Sequence, residues 1–281
     1  MLPPMTGASP QPPAAMDPAR AQGIVARMAT LDFAWDIERA LEFALFRTYA
    51  VPRISGLLAR TGEFETRPRK RYDDTELILS EIVETGPDSP RGAAALARMN
   101  AMHGRYRIRP ADMAYVLSTF VLEPIRWLDR FGRRPMTDEE RQATFVFWTD
   151  VGRRMGIADL PPTLAAMDAA NRAFEAAEFR YADTNARIAR ATTDLMLGFY
   201  LPRPLWPLGR PAMRALMDPP LLRAMRLAPA PRWLVRAVTA GLALRARVLA
   251  WLPPRRRPYL QTARSRPTYP DGYEIRDLGT F

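Results

Sequence analysis

The sequence reads as an all-α protein on three observations. Apolar residues recur at helical spacing, helix boundaries are marked by cap residues, prolines and glycines, and no strand-like alternation of useful length occurs. Within that class the chain divides into three parts. Residues 1–20 form a proline-rich tail expected to be disordered, residues 21–200 an all-α domain without internal repeat, and residues 201–281 a basic, amphipathic, Pro/Arg-rich helical extension.

Each element can be justified in turn. From Ile24 to Tyr49, Phe33, Ile37, Leu41 and Leu45 make one i, i+4 stripe, with Asp36, Arg39 and Glu42 off that line. Pro52 and the Thr61-Gly62 turn close this region. Asp73-Asp74-Thr75-Glu76 has the form of a helix start, Asp73 as cap and Glu76 three residues on, for a helix ending at Gly86-Pro87. Ser89-Pro90 opens the next by the cap-then-proline order, and Gly104 closes it just after His103. Pro110 begins a long apolar helix through Tyr115, Phe120 and Trp127, kinked at Pro124 and ending at Gly132. Thr137-Asp-Glu-Glu140 is a capping box whose helix runs to Gly156. Ala-rich patterns over 163–181 and 182–200 complete the domain. The closing Tyr269-Pro-Asp-Gly-Tyr-Glu-Ile reads as a turn without chemistry.

Composition narrows the function. At 281 residues and 48% hydrophobic the chain can bury a full core. The absence of Cys fits a reducing compartment, and no basic-then-apolar leader is seen, so the expectation is a cytoplasmic protein that is not secreted. A membrane-spanning helix needs about 20 apolar residues. Arg236, Arg245 and Arg247 interrupt the greasy segment from Trp233 to Leu252, each costing roughly 2.5–3.5 kcal/mol at a helix centre. The net charge of +11 is uneven: residues 201–270 hold fourteen Arg and one acid, a local +13 that leaves −2 elsewhere. These arginines are interleaved with Leu, Trp, Met and Pro and carry no recognised nucleic-acid-reading module. The pattern fits an anionic membrane surface contacted peripherally, or else a packing extension with a solvated basic face.

Four places carry candidate chemistry. His103 is the only histidine, so Cys/His zinc sites and two-histidine di-iron sites are excluded. One imidazole can hold a haem iron from one side, act as a lone acid/base, or simply cap a helix. Met99 and Met102 offer it soft apolar surface, and Arg98, Arg105 and Arg107 could meet an anionic cofactor edge. The Asp73-Asp74 pair suggests either a magnesium-diphosphate site or a first helical turn; the DDxxD spacing of the former is broken by Leu77. Glu123 and Arg126, three apart in an apolar helix, either pair with each other or present Arg126 to a cofactor carboxylate. The basic extension is the fourth.

Five segments, taken in order, resemble one family. They are Glu42-Phe-Ala-Leu-Phe-Arg-Thr-Tyr-Ala-Val-Pro52, Lys70-Arg-Tyr-Asp-Asp-Thr75, Met99-Asn-Ala-Met-His-Gly-Arg105, Tyr115 through Trp127, and Phe145 through Met155. They resemble the MpaB-type oxygenases, which share a catalytic domain with the latex-clearing rubber oxygenases, and the resemblance covers roughly residues 20–200.

The resemblance implies a globin-like all-α fold holding haem b through a single histidine. His103 takes the place of that iron ligand, and Arg107 that of the Arg four positions after it. The family's distal Arg-x-x-Lys-Thr pattern corresponds to Arg71, Asp74 and Thr75, with Asp74 replacing the lysine. Arg126 is a candidate partner for a haem propionate. A neutral imidazole leaves the opposite iron face open, where Arg71 or Thr75 could donate a hydrogen bond to dioxygen. Phe43, Phe46, Tyr115 and Phe120 would wall in a greasy alkene. The implied function is oxidative cleavage of a carbon–carbon double bond in a hydrophobic isoprenoid or lipid-like substrate. The alternatives are a non-catalytic haem- or lipid-binding peripheral membrane protein, and magnesium chemistry at Asp73 and Asp74.

Overall fold

The computed structural model describes residues 16–279. The expected disorder over 1–20 falls mostly on residues outside that range, and Pro18 already opens the first helix, capped by the Asp17 side chain. The described chain is all-helical, the only bridge of sheet type among its residues being an isolated pairing of Arg266 with Tyr269.

The helices are α1 (Pro18–Arg27), α2 (Ala34–Tyr49), α3 (Pro52–Thr61), α4 (Glu63–Thr66), α5 (Pro68–Thr85), α6 (Pro90–His103) and α7 (Pro110–Phe131). They continue as α8 (Asp138–Arg154), α9 (Leu164–Glu178), α10 (Asp183–Gly198), α11 (Trp206–Arg214), α12 (Pro219–Ala224) and α13 (Arg232–Trp251). α1 packs on α8, α2 on α7, α5 on α6, and α10 on α3. Their shared core includes Phe33, Phe46, Tyr49, Leu77, Phe147 and Ile188, all essentially inaccessible to solvent.

Most boundaries follow the punctuation of the sequence. Ser89 Oγ accepts from Gly92 N at 2.9 Å. The Thr137–Glu140 box closes through bonds of 2.8 and 3.2 Å. Gly62 ends α3 at φ 71°, a left-handed conformation that glycine adopts without steric cost. Pro124 does not interrupt α7, which runs on as one helix.

Three expectations are corrected. Asp73 is not a cap: α5 starts five residues earlier at Pro68, whose fixed φ suits a first helical position. The two aspartates then lie inside the helix, where i, i+4 partners neutralise them, Arg69 to Asp73 at 2.9 Å and Lys70 to Asp74 at 2.7 Å. The stretch from Ile24 to Tyr49 is not one α-helix either. A π-helical segment over Met28–Asp32 separates α1 from α2, and the Thr30 carbonyl accepts instead from Tyr259 N at 2.8 Å.

The closing turn is also more than a turn. Residues 259–279 form a strap along the acidic face of α5. Thr262 Oγ1 donates to Glu84 at 2.5 Å, Thr268 Oγ1 to Asp73 at 2.7 Å and Tyr273 OH to Glu81 at 2.5 Å. Arg266 binds Asp73 and Glu76, and Tyr269 OH donates to Asp74. The strap ends beside α6, where Arg98 Nε donates to the Leu278 carbonyl at 2.8 Å. Gly279, at φ 89°, approaches the Met102 sulfur so closely that a Cβ there would overlap it.

Candidate active site

α2 and α5 carry residues at i, i+3, i+4 spacing that face one another across a cavity. From α2 these include Ile37, Leu41, Leu45 and Tyr49; from α5, Arg71, Tyr72, Thr75, Leu79 and Val83. Phe120 and Pro124 of α7, Trp148 of α8, and Thr192 and Leu195 of α10 close the other sides. The cavity holds about 1280 Å³ of empty space, part of it open to solvent. Its wall is mainly apolar. Ile37, Leu41 and Leu45 of the α2 apolar stripe are thus a cavity wall.

Tyr49 marks one end of the cavity and Glu38, Glu84 and Gln261 the other. At the first end, Arg71 stacks its guanidinium 5.4 Å from the Phe64 ring centroid and donates to Thr75 Oγ1, whose own hydroxyl donates to the Arg71 carbonyl at 2.8 Å. Burial lowers the pKa of Arg71, a sign of how little solvent the charge retains. Nearby Tyr49 is pushed up to about 12, chiefly by burial.

His103 is the last residue of α6, half-buried, with its Nδ1 enclosed and without a hydrogen-bond partner among the described residues. Burial, then the Arg71 charge, lowers its pKa, so the imidazole is neutral at physiological pH. A neutral imidazole with an open nitrogen is the form that ligates iron. His103 does not itself line the cavity, but its open nitrogen, the neighbouring apolar space and the Arg71 guanidinium that faces that space are the kinds of group that hold haem.

The sequence-derived site residues therefore separate. Arg71 and Thr75 line the cavity; His103 does not, though it lies within electrostatic reach of Arg71. Asp74 points away to Lys70 and Tyr269, with 1% of its surface exposed, and so does not face the cavity. Both members of the Asp pair are saturated by cations and hydroxyls, which occupy the lone pairs a magnesium ion would need. Arg107 is exposed on the segment between α6 and α7. Arg126 pairs with Glu123 at 2.6 Å and Asp168 at 2.7 Å beside a second cavity of about 870 Å³, not the first. Among the expected walls only Phe120 lines the main cavity. Phe46 is in the packed core, Phe43 stacks on Trp127, and Tyr115 stacks on Phe174 and donates to Glu175.

A buried polar group on the cavity wall escaped the sequence reading. Glu42 accepts from Tyr72 OH at 2.9 Å and from Arg39 Nη2 at 2.8 Å. Burial outweighs the Arg39 charge and pushes Glu42 up to about 8. Glu38 and Glu84 are bridged by Gln261 of the strap, at 3.0 and 2.7 Å. The signal was there for the α5 members, since Tyr72 and Glu76 follow Pro68 by four and eight positions on the face that carries Thr75.

Residues 41–251 match the family model described as ER-bound oxygenase mpaB/B'/Rubber oxygenase, catalytic domain. The chain is 33% identical over 249 residues to the ER-bound oxygenase mpaB' of Penicillium brevicompactum, covering 82% of this chain and 58% of that protein. It is 32% identical over 216 residues to the ER-bound oxygenase mpaB of Penicillium roqueforti (strain FM164), covering 70% and 72%. The mpaB of Penicillium brevicompactum is 38% identical over 138 residues, 47% of this chain and 35% of that protein. The matched region contains the α2–α5 cavity wall from Leu41 onward, His103 and all of α13, and the chain belongs to the family of mpaB/B' and rubber oxygenase catalytic domains.

Proposed function

We propose that this chain is a haem b-dependent oxygenase that cleaves a carbon–carbon double bond of a hydrophobic isoprenoid or lipid-like substrate. The observation that carries the reading is the placement of Arg71, anchored by Thr75, as a polar donor on an otherwise largely apolar cavity, with neutral His103 close to Arg71. His103 would hold the iron and Arg71 would remain charged in a dry site, where a fixed donor stabilises developing negative charge far better than in water. Thr75 holds the Arg71 side chain in place. Leu41, Leu45, Leu79 and Phe120 would exclude water and align the alkene. When bound, haem supplies the dioxygen activation that no side chain here provides. The overall reaction consumes one dioxygen and one C=C bond and yields two carbonyl groups.

The same reading includes a peripheral contact with an anionic membrane. No helix of the described residues is long and apolar enough to cross a bilayer. α13 instead has no buried residue, and its outward stripe is Trp233, Ala237, Ala240, Leu244, Val248 and Trp251. Trp233 is 69% and Trp251 90% exposed. Eleven Arg and no acid occupy residues 219–270, so two copies would repel across this face whereas an anionic surface would attract it. The relatives matched are named ER-bound.

The test is turnover: haem-loaded protein incubated with long-chain isoprenoid alkenes under oxygen, with carbonyl products trapped and oxygen uptake recorded. Matched oxygen loss and carbonyl formation is the expected result. Haem and alkene binding without oxygen consumption would overturn the enzyme reading in favour of a non-catalytic binder.

A further inference from the structure

Two hydroxyls at the Arg71 end of the cavity are unaccounted for by that reading. Tyr49 is 1% and Thr192 4% exposed, and both line the cavity. They lie close enough for Thr192 to favour the ionised phenol, yet neither makes a hydrogen bond of good geometry, to the other or to any other described residue. Buried hydroxyls are ordinarily paired, so two orphans on one cavity wall mark where a ligand atom belongs. They come from different helices, α2 and α10, and the charge of Arg71 on α5 is within electrostatic reach of Tyr49. Phe46 and Phe64 set their ring edges against Tyr49, which fixes the phenol in place.

All three groups can donate, and no carboxylate lies within ion-pair distance of Arg71 among the described residues. The carboxylates of the cavity are farther along: Glu76, five positions on from Arg71, is held by Arg266 through one oxygen, its other oxygen having no partner among the described residues. Glu42 sits seven positions back on α2, about 10 Å at the helical rise, and is held by Arg39 and Tyr72. Between Tyr49 and Ile37 the wall runs about 18 Å past Leu45 and Leu41, room for an extended apolar chain.

We propose that Tyr49 and Thr192, beside Arg71, form an oxyanion subsite that seats the carboxylate of an otherwise apolar ligand. The inference deepens the proposed function by naming a head group for that cavity, and it requires the cavity but not catalysis. The same chemistry has two sources, the carboxylate of a substrate or a propionate of haem.

The experiment is calorimetric titration of the full chain with dodecanoate, dodecanol and methyl dodecanoate, in wild type and in Tyr49→Phe/Thr192→Val. Haemin and its dimethyl ester are titrated in parallel by absorbance. The expected result is dodecanoate bound at least tenfold more tightly than dodecanol, with the preference reduced to less than twofold in the double variant. Unchanged dodecanol affinity shows that the variant cavity is intact. If dodecanoate shows no preference but haemin loses its advantage over the ester in the variant, the subsite is the propionate's and the proposal stands with that source. Acid, alcohol and ester bound alike with no haemin advantage, or any acid preference that survives the double variant, overturns it. None of these readouts depends on oxygen consumption, so a failed turnover assay leaves this result separately interpretable.

Discussion

α2 and α13 are both long helices rich in apolar residues and arginine, yet they are inside out relative to each other. In α2, Asp36, Arg39 and Glu42 are buried, while Ile37, Leu41 and Leu45 face an open cavity. In α13 nothing is buried and the tryptophans point outward. The difference is one of partners. Each buried charge of α2 meets a counter-charge: Asp36 receives Trp127 Nε1 at 3.2 Å and Arg245 at 2.9 Å, and Arg39 binds Glu38 and Glu42. The outer stripe of α13 meets no protein surface among the described residues. One helix has brought polarity inside to border a site, and the other has left apolarity outside for a surface to cover.

The comparison can be broken most forcefully at Arg39. Replacing it by Leu leaves Glu42 buried beside a lost partner, and removal of one member of a buried pair costs about 3–5 kcal/mol. Urea melts should show that deficit at pH 9, where Glu42 is ionised, and a smaller one at pH 6, where it takes up a proton. A deficit below 1 kcal/mol at pH 9 would mean the pair is not sealed from water.

Arg71→Met keeps an unbranched apolar stem and removes the donor. Turnover should fall about 10²–10³-fold, the usual loss for one donor to developing charge, while haem content is retained. Unchanged kcat would remove Arg71 from the chemistry.

On α13 the effect should invert. Trp233→Ala/Trp251→Ala should shift unfolding free energy by no more than about 0.5 kcal/mol, as for exposed sites generally. Co-sedimentation with phosphatidylserine vesicles should drop at least tenfold, and raised salt should weaken the wild type. Loss of stability with unaltered vesicle binding would place the stripe in a protein contact.

Glu42→Gln sharpens the contrast most gently. Its folded pKa is raised from 4.5 to about 8, so the wild type is favoured while Glu42 is protonated and loses that contribution as pH rises through about 8. The melting temperature of the variant should therefore decline less than that of the wild type between pH 5 and 9. Parallel declines would show Glu42 to be solvated.

Much of this was legible in the sequence, for local reasons. Ser89, Thr137, Gly62 and Gly104 mark helix ends because caps depend on a few neighbouring residues. His103 stood out by being the only imidazole, and Arg71 and Thr75 by their match to the distal pattern of the family the sequence resembles. Relations between distant segments were not legible. Whether Ile37 faces core or cavity depends on α5 and α7, and Asp74 turns outward because Tyr269, 195 positions later, comes back to meet it. Arg126 read either as the partner of Glu123 or as a cofactor contact; the Glu123 pair forms, and Asp168 and Asn171, 42 and 45 positions later, join it. The strap, read as a turn, gains its role only against the acidic face of α5.

The central claim rests on one nitrogen, and the most direct test is the absorption spectrum of haem-supplied protein beside His103→Ala. The account predicts an intense Soret band in the wild type that shifts or disappears in the variant, with both proteins folded by circular dichroism. A wild type without haem absorbance under haem-replete expression, or a Soret band identical in the variant, would contradict it.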